Sequence, residues 1–405
     1  MSVATAANPA PESLLVVRLG AMGDIIHTLP AVTALRAALP DARIGWIVEE
    51  RWAELLCAKN ALRSGPRNSS RPLVDFIHPV DTKRWRKSLL SRNTQRQIAA
   101  VRREVRDQEY EIVVDFQGAL KSAIIARCSG ARTVFGMEHS REAPARLFYK
   151  HRVPAKSVHV VEQYHALAKS VIKESFTASN SIHPEISWKS TASSRADINS
   201  PDLPGRAESR ALPGSFSPTL NGEITVKLPR DDEAEANIGE TLAGTSKDVV
   251  LITPGAGWGA KQWPPERYGG VARALANDGL APLINFGPDE EKLALEVEAA
   301  SGGAAHPISC SIAELIALTR RARLFIGGDT GPLHLAAALQ VPVVAIFGPT
   351  DPARNGPYGT RSIVLRNPES QTSLSHTSAP DPGLLRITAN DVVSAARRLL
   401  ESAHV

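Results

Sequence analysis

Residues 14–24 read LLVVRLGAMGD, and this stretch decides the fold. LLVVRL, at 14–19, makes a buried strand that Gly20 ends, and the GAMGD turn leads into a segment, 25–39, with apolar residues at helical spacing before Pro40. The next apolar run, RIGWIV at 43–48, is a second strand. Strand, helix and strand at this length form a parallel βαβ unit, whose crossover is right-handed almost without exception. Outward from there the alternation returns, with a helix at 94–109, a strand at 111–116 (EIVVDF) and a helix at 121–128. The first half is therefore predicted to be a doubly wound parallel sheet.

Between 189 and 222 the sequence turns rich in Ser, Pro and Gly and poor in apolar residues. Such a stretch buries too little to offset its ordering entropy, so it is expected to be a linker or insertion between domains. The alternation then restarts: strands at 248–253, 281–286, 323–327 and 342–347, and helices at 265–277, 312–320 and 333–339. The expected division is 1–188 for an N-terminal domain, 189–222 for the linker and 223–387 for a C-terminal domain. A last helix, 388–403, opens on Thr388 and Asp391 in capping positions and is free to pack back on the first half. Two α/β, Rossmann-like sheets joined in this way place a ligand crevice at the carboxyl ends of their strands.

Composition sets the class. A chain of 405 residues with 43% hydrophobic and 22% charged residues suits two buried cores. Cys57, Cys128 and Cys310 are far apart and show neither a Cys-x-x-Cys pair nor zinc spacing, so free thiols are expected. The first thirteen residues lack Lys and Arg and precede only a short apolar run, which does not suit an export signal. No stretch reaches the roughly 18 apolar residues of a spanning helix. The expectation is a cytoplasmic protein, with a membrane surface as an open location. The net charge of +5 is modest, but Lys83, Arg84, Arg86 and Lys87 flank Trp85 in a single run. Nucleic acid, anionic lipid or phosphorylated glycan could answer such a patch, and so could plain solvent around a basic loop.

Four turns could carry chemistry. In Gly20–Asp24 the backbone amides, Gly23 among them, can face an anion, and Asp24 is either an N-cap or a general base aimed into a crevice. Gly328-Asp329-Thr330-Gly331-Pro332 follows a strand and opens a helix, so its amides form a phosphate cradle, with His334 on the first turn as a further donor. Lys261 lies in the Gly-rich loop GWGAKQWP, as a phosphate partner or a solvated loop residue. Glu290 and Glu291 follow a strand end, where a carboxylate can accept from ribose hydroxyls or serve the helix dipole. Asp-x-Asp, a Walker A loop, Gly-x-Ser-x-Gly and zinc spacing are absent from the sequence.

RLGAMGDIIHTLPAVTALR, KRWRK, VDFQGALKSA, HSREAPARLFY, KQWPPERY, GPDEE, GGDTGPLHLAAAL and FGPTDP together resemble the heptosyltransferases of glycosyltransferase family 9, most of all those adding the first heptose of the lipopolysaccharide core. The resemblance spans nearly the whole chain apart from its start and 189–222. It implies a GT-B fold and an inverting, metal-independent transfer of heptose from ADP-heptose to Kdo of Kdo-lipid A, without cofactor or nucleic-acid partner. Asp24 then acts as the base. Lys261 and the Thr330–Gly331 amides hold the pyrophosphate with His334 beside them, Gly23 also binds the donor, and Asp329 binds the sugar or positions the loop. Glu290, or its neighbour Glu291, takes the ribose. Lys83, Arg84, Arg86, Lys87 and Arg141 clamp the acidic acceptor at the inner face of the inner membrane. Another family 9 transferase, such as the one adding the second heptose, a GT-B nucleotide-sugar epimerase and a non-catalytic nucleotide-sugar-binding protein are the competing readings.

Overall fold

The computed structural model describes residues 11–177, 226–373 and 377–401, so the expected linker at 189–222 lies outside the described residues. The chain divides into two units. In the first, chain order runs β1 (Ser13–Val17), α1 (Met22–Ala38), β2 (Arg43–Glu49), β3 (Phe76–Val80), α2 (Thr82–Lys87), α3 (Arg92–Asp107), β4 (Ile112–Asp115), α4 (Leu120–Cys128), β5 (Thr133–Met137), β6 (His151–Val153) and α5 (Val160–Thr177). Helix α6 (Asp232–Leu242) carries the chain onward into the second unit. There follow β7 (Val249–Thr253), α7 (Pro265–Asn277), β8 (Ala281–Phe286), α8 (Glu291–Ser301), β9 (His306–Ser309), α9 (Ile312–Arg321), β10 (Ala322–Gly328), α10 (Gly331–Ala338), β11 (Val343–Phe347), α11 (Pro352–Asn355), β12 (Ser362–Arg366) and α12 (Ala389–Glu401).

Both sheets are six-stranded and wholly parallel, ordered β3-β2-β1-β4-β5-β6 and β12-β11-β10-β7-β8-β9. Each is the doubly wound order, with its reversal between the first and fourth strands of its unit. Every residue of β1, β7 and β11 is buried, as strands covered by helices on both faces must be. In the first unit Leu15, Val17, Ile47 and Val113 meet Ala123, Ala126 and Tyr149 in one core cluster. In the second, Val250, Ile252, Leu324 and Ile326 meet Val271, Leu275 and Val297.

Register brings the functional turns level. Val17 stands opposite Asp115 across the β1–β4 pair, and Thr253 stands opposite Gly327 across β7–β10. The two segments leaving each reversal point are therefore neighbours at the carboxyl edge of the sheet, where open α/β sheets bind ligands.

Two boundaries differ from expectation. Residues 226–234 group with the first unit, because the Arg230 amide donates to the Ser69 carbonyl and the Lys59 amide donates to Asp231. The last helix, expected over 388–403 and free to return to the first half, is described over Ala389–Glu401 as α12, whose Val392, Val393, Ala396 and Leu399 lie in the second unit's core. Among the described residues no helix is long and apolar enough to cross a membrane.

Candidate active site

In the first unit, α1 begins at Met22 with Ala21 as its N-cap, so Asp24 is the third helical residue and not the cap itself. Its Oδ2 reaches back to accept from the Ala21 amide at 3.1 Å, which is half of a capping box. Its Oδ1 pairs with Arg18 Nη2 at 2.7 Å. Asp24 stays 37% exposed while Arg18 is only 4% exposed, so the carboxylate is held from beneath and open above. Gly23 occupies the same first turn, where amides have no partner within the helix.

The neighbouring exit, from β4, is tied to this turn. Gln117 Oε1 accepts from the Leu19 amide at 3.1 Å, and the Phe116 carbonyl accepts from Arg18 Nη1 at 2.5 Å. Beneath them Asp115 is fully buried and accepts from Tyr149 Oη at 2.7 Å, Ser122 Oγ at 2.8 Å and the Gln117 amide at 2.9 Å. Burial pushes the Asp115 carboxyl above its ordinary pKa although these hydrogen bonds oppose the shift. Gly118 adopts a φ of 65°, and a Cβ there would stand 3.1 Å from the Arg141 amide. The loop carrying Arg141 therefore rests on this glycine, with the Glu142 amide donating to the Gly118 carbonyl at 2.9 Å. Arg141 is exposed at that edge.

Lys83, Arg84, Arg86 and Lys87 lie on α2, a short helix where a basic loop was the alternative, with Asp81 capping the Arg84 amide at 2.9 Å. All four cations are exposed, whereas Trp85 turns inward and donates to Gln97 Oε1 at 3.0 Å. Strand β3, which feeds α2, lies two strands from β1, a separation of about 10 Å at ordinary strand spacing.

The second unit gathers its predicted residues tightly. Lys261 Nζ donates to Asp329 Oδ2 at 2.6 Å and to the Asp329 carbonyl at 3.1 Å, and the two side chains are 10% and 7% exposed. A solvated loop lysine is thereby excluded. His334 Nε2 meets the other oxygen of Asp329 at 3.2 Å. Burial raises the Asp329 carboxyl, but His334 and Lys261 outweigh it and hold the group well below the usual carboxylate range. Thr330 is the N-cap of α10 without a side-chain cap bond, its hydroxyl donating to the Gly328 carbonyl at 3.3 Å. Pro332 follows Gly331 in the first turn and has no N–H, so the first-turn amides without a partner inside the helix are those of Gly331 and Leu333, the latter buried.

Glu290 is distinguished from Glu291 by position. It is the N-cap of α8 and accepts from the Gly287 amide at 2.8 Å, and its carboxylate fills the space over Gly255 that any Cβ there would need. Glu291 is exposed on the helix. The loop after β7 thus carries Lys261 on one side and receives Glu290 on the other.

Three participants were not foreseen. Arg18 falls inside the predicted strand 14–19, where a lone cation in an apolar run is its signal. Gln117 had no local signal. Trp258, in the same loop as Lys261, lies with its ring centre 4.2 Å from Lys261 Nζ, a cation–π contact.

The model of glycosyltransferase family 9 (heptosyltransferase) matches residues 98–381. Lipopolysaccharide heptosyltransferase 1 of Pseudomonas aeruginosa is 28% identical over 356 residues, covering 87% of this chain and 83% of that protein. The structure of Escherichia coli heptosyltransferase WaaC with ADP superposes with a TM-score of 0.66 at 23% identity, covering 96% of this chain and 99% of that one. Escherichia coli ADP-heptose lipopolysaccharide heptosyltransferase II does so with 0.66 at 19% identity, covering 97% and 100%. The two-sheet GT-B architecture is common to this chain and the two Escherichia coli structures.

Proposed function

The chain belongs to glycosyltransferase family 9, the heptosyltransferases, and from that premise we propose that it transfers heptose from ADP-L-glycero-D-manno-heptose to Kdo of Kdo-lipid A, with inversion and without a metal. The observation that carries this reading is the buried Lys261–Asp329–His334 cluster beside the open amides of α10, at the reversal point of the second sheet.

A departing ADP needs its growing negative charge met where it develops. Lys261 and the Thr330–Gly331 amides supply that, preorganised and shielded from water, in the place a divalent cation fills in other transferases. Asp329 orients Lys261 and stays ionised, so it never competes as a proton donor to the phosphates. Glu290 accepts from the ribose hydroxyls. Asp24 takes the proton of the acceptor hydroxyl as that oxygen bonds to the anomeric carbon and the bond to ADP breaks on the opposite face. Gly23, in the same first turn, adds an amide for the donor.

Lys83, Arg84, Arg86, Lys87 and Arg141 bind the carboxylates and phosphates of the acceptor. Leu89 and Leu90, 55% and 93% exposed just after the cationic run, suit an approach to the cytoplasmic face of an anionic bilayer. The 28% identity to a lipopolysaccharide heptosyltransferase 1 favours the first heptose over later ones.

The deciding experiment measures ADP release from ADP-heptose with Kdo-lipid A, with the same acceptor already bearing one heptose, and with no acceptor. Release only with unheptosylated Kdo-lipid A is expected. Release dependent on the heptosylated acceptor would mean a later transferase, and conversion of ADP-heptose without acceptor would mean an epimerase.

A further inference from the structure

Arg18 sits immediately past the end of β1 and is 4% exposed, an unfavourable place for a guanidinium unless its charge and donors are met. Three elements meet the charge and the two Nη groups, while the buried Nε has no hydrogen-bond partner among the described residues. Phe116 at the exit of β4 accepts from Nη1 at 2.5 Å, Asp24 in the first turn of α1 takes Nη2 at 2.7 Å, and the Tyr164 ring of α5 lies 5.5 Å from the guanidinium carbon. The adjoining Leu19 amide is pinned by Gln117 at 3.1 Å, so the backbone on which Arg18 rides is fixed as well.

Capping does not account for this arrangement. The start of α1 needs only the bond from the Ala21 amide to Asp24 Oδ2, which would form with no cation below. The arginine engages the other oxygen, from the interior side, on a carboxylate that is otherwise open to solvent. A carboxylate on a mobile χ1–χ2 pair is thereby held at both oxygens while the side chain stays 37% exposed.

We propose that Arg18 is the positioning residue for Asp24, fixing the orientation in which that carboxylate meets the acceptor hydroxyl. The inference rests on Asp24 being the base of the proposed transfer. Arg18 itself touches no reacting atom; it acts through Asp24 alone.

The test uses Arg18→Met and Arg18→Lys in the full chain, each alone and combined with Asp24→Asn. With ADP-heptose and Kdo-lipid A, Arg18→Met is expected to lower kcat about 100-fold, the scale of a misplacement near 1 Å, while both KM values stay within about twofold. Arg18→Lys, which keeps a cation, should recover part of the loss. Neither change should lower kcat further when Asp24→Asn is already present, since residues acting as one unit are not additive. Wild-type kcat in Arg18→Met, or the same fold loss in the Asp24→Asn background, would overturn the proposal. If thermal melting shows that Arg18→Met does not fold, Arg18→Lys decides by the fold loss in the Asp24→Asn background and by the orientation of Asp24. A crystal structure of the folded variant gives a readout free of turnover. A reoriented Asp24 carboxylate is expected, and an unmoved one refutes the role even if the wild type proves to transfer nothing and the transferase reading fails on its own.

Discussion

Replacing Lys261 by Met tests the second-unit cluster most directly. The lysine is 10% exposed and its partner Asp329 is 7% exposed, at 2.6 Å, so this is a buried pair and not a screened surface contact. Removing one member of a buried pair costs about 3–5 kcal/mol, because the remaining charge is left without its counterion. Here His334 stays at 3.2 Å from Asp329 and compensates in part, which places the expectation at the lower end, about 3 kcal/mol. For a unit of this size each kcal/mol moves the midpoint by about 2–4 °C, so a fall of roughly 6–12 °C is expected at neutral pH. The sign of its pH dependence follows from Asp329. A carboxyl held below its ordinary value gives stability that is present above about pH 4 and lost as pH falls through the folded value. In Lys261→Met the folded value moves back toward the ordinary one, so the loss should still begin near pH 4 but be smaller and end at a higher pH than in the wild type. The double variant Lys261→Met with Asp329→Asn removes both charges and should regain most of the midpoint. Calorimetry of the full chain from pH 3 to 8 reads all three, and isothermal titration with ADP reads the ligand side. Loss of a charged hydrogen-bond donor, about 1.5–3 kcal/mol, corresponds to at least a tenfold weaker Kd. A Lys261→Met protein that melts within 2 °C of wild type, to take about that margin as assay error, and binds ADP equally well would refute the reasoning.

Asp24→Asn should keep donor affinity and lose about 10²–10⁴ of kcat, the range of general-base catalysis; unchanged turnover removes Asp24 from that role. Reversing Arg84 and Arg86 to Glu should raise the acceptor KM by about fivefold or more per charge, as a contribution near 1 kcal/mol per cation at an anionic surface implies, with the donor KM unmoved. The same acceptor KM should rise with salt in the wild type, and a flat salt profile would count against contact. Incubation with a chelator should leave ADP release intact, whereas loss that added magnesium restores would contradict the mechanism. Burial lowers the His165 imidazole to about 4, so the folded chain keeps it neutral. Its stabilising effect is full above about pH 6.5 and declines toward about pH 4, by up to about 1.4 kcal/mol per pH unit. The urea midpoint should show that slope in the wild type and a shallower one in His165→Gln.

The sequence by itself determined the two doubly wound sheets and the turns at their reversal points. Strand periodicity, glycine punctuation and helix-start residues are local properties, and LLVVRLGAMGD or GGDTGPLHL carries them whole. What only the tertiary structure decided was who meets whom across those turns. Lys261 and Asp329 are 68 residues apart, and Leu19 and Gln117 are 98 apart. Such pairs exist because strand order sets β7 beside β10 and β1 beside β4, a choice that no window of sequence contains. The same holds for the bond from the Gly287 amide to Glu290, while Glu291, one step on in sequence, stays exposed on α8. It holds too for α12, whose amphipathic stripe announces that a face is buried but not against which sheet. Arg18 stands between the two cases. Its charge within an apolar run was visible, but the carboxylate that gives that charge a purpose became visible only when helix α1 turned back over the end of its strand.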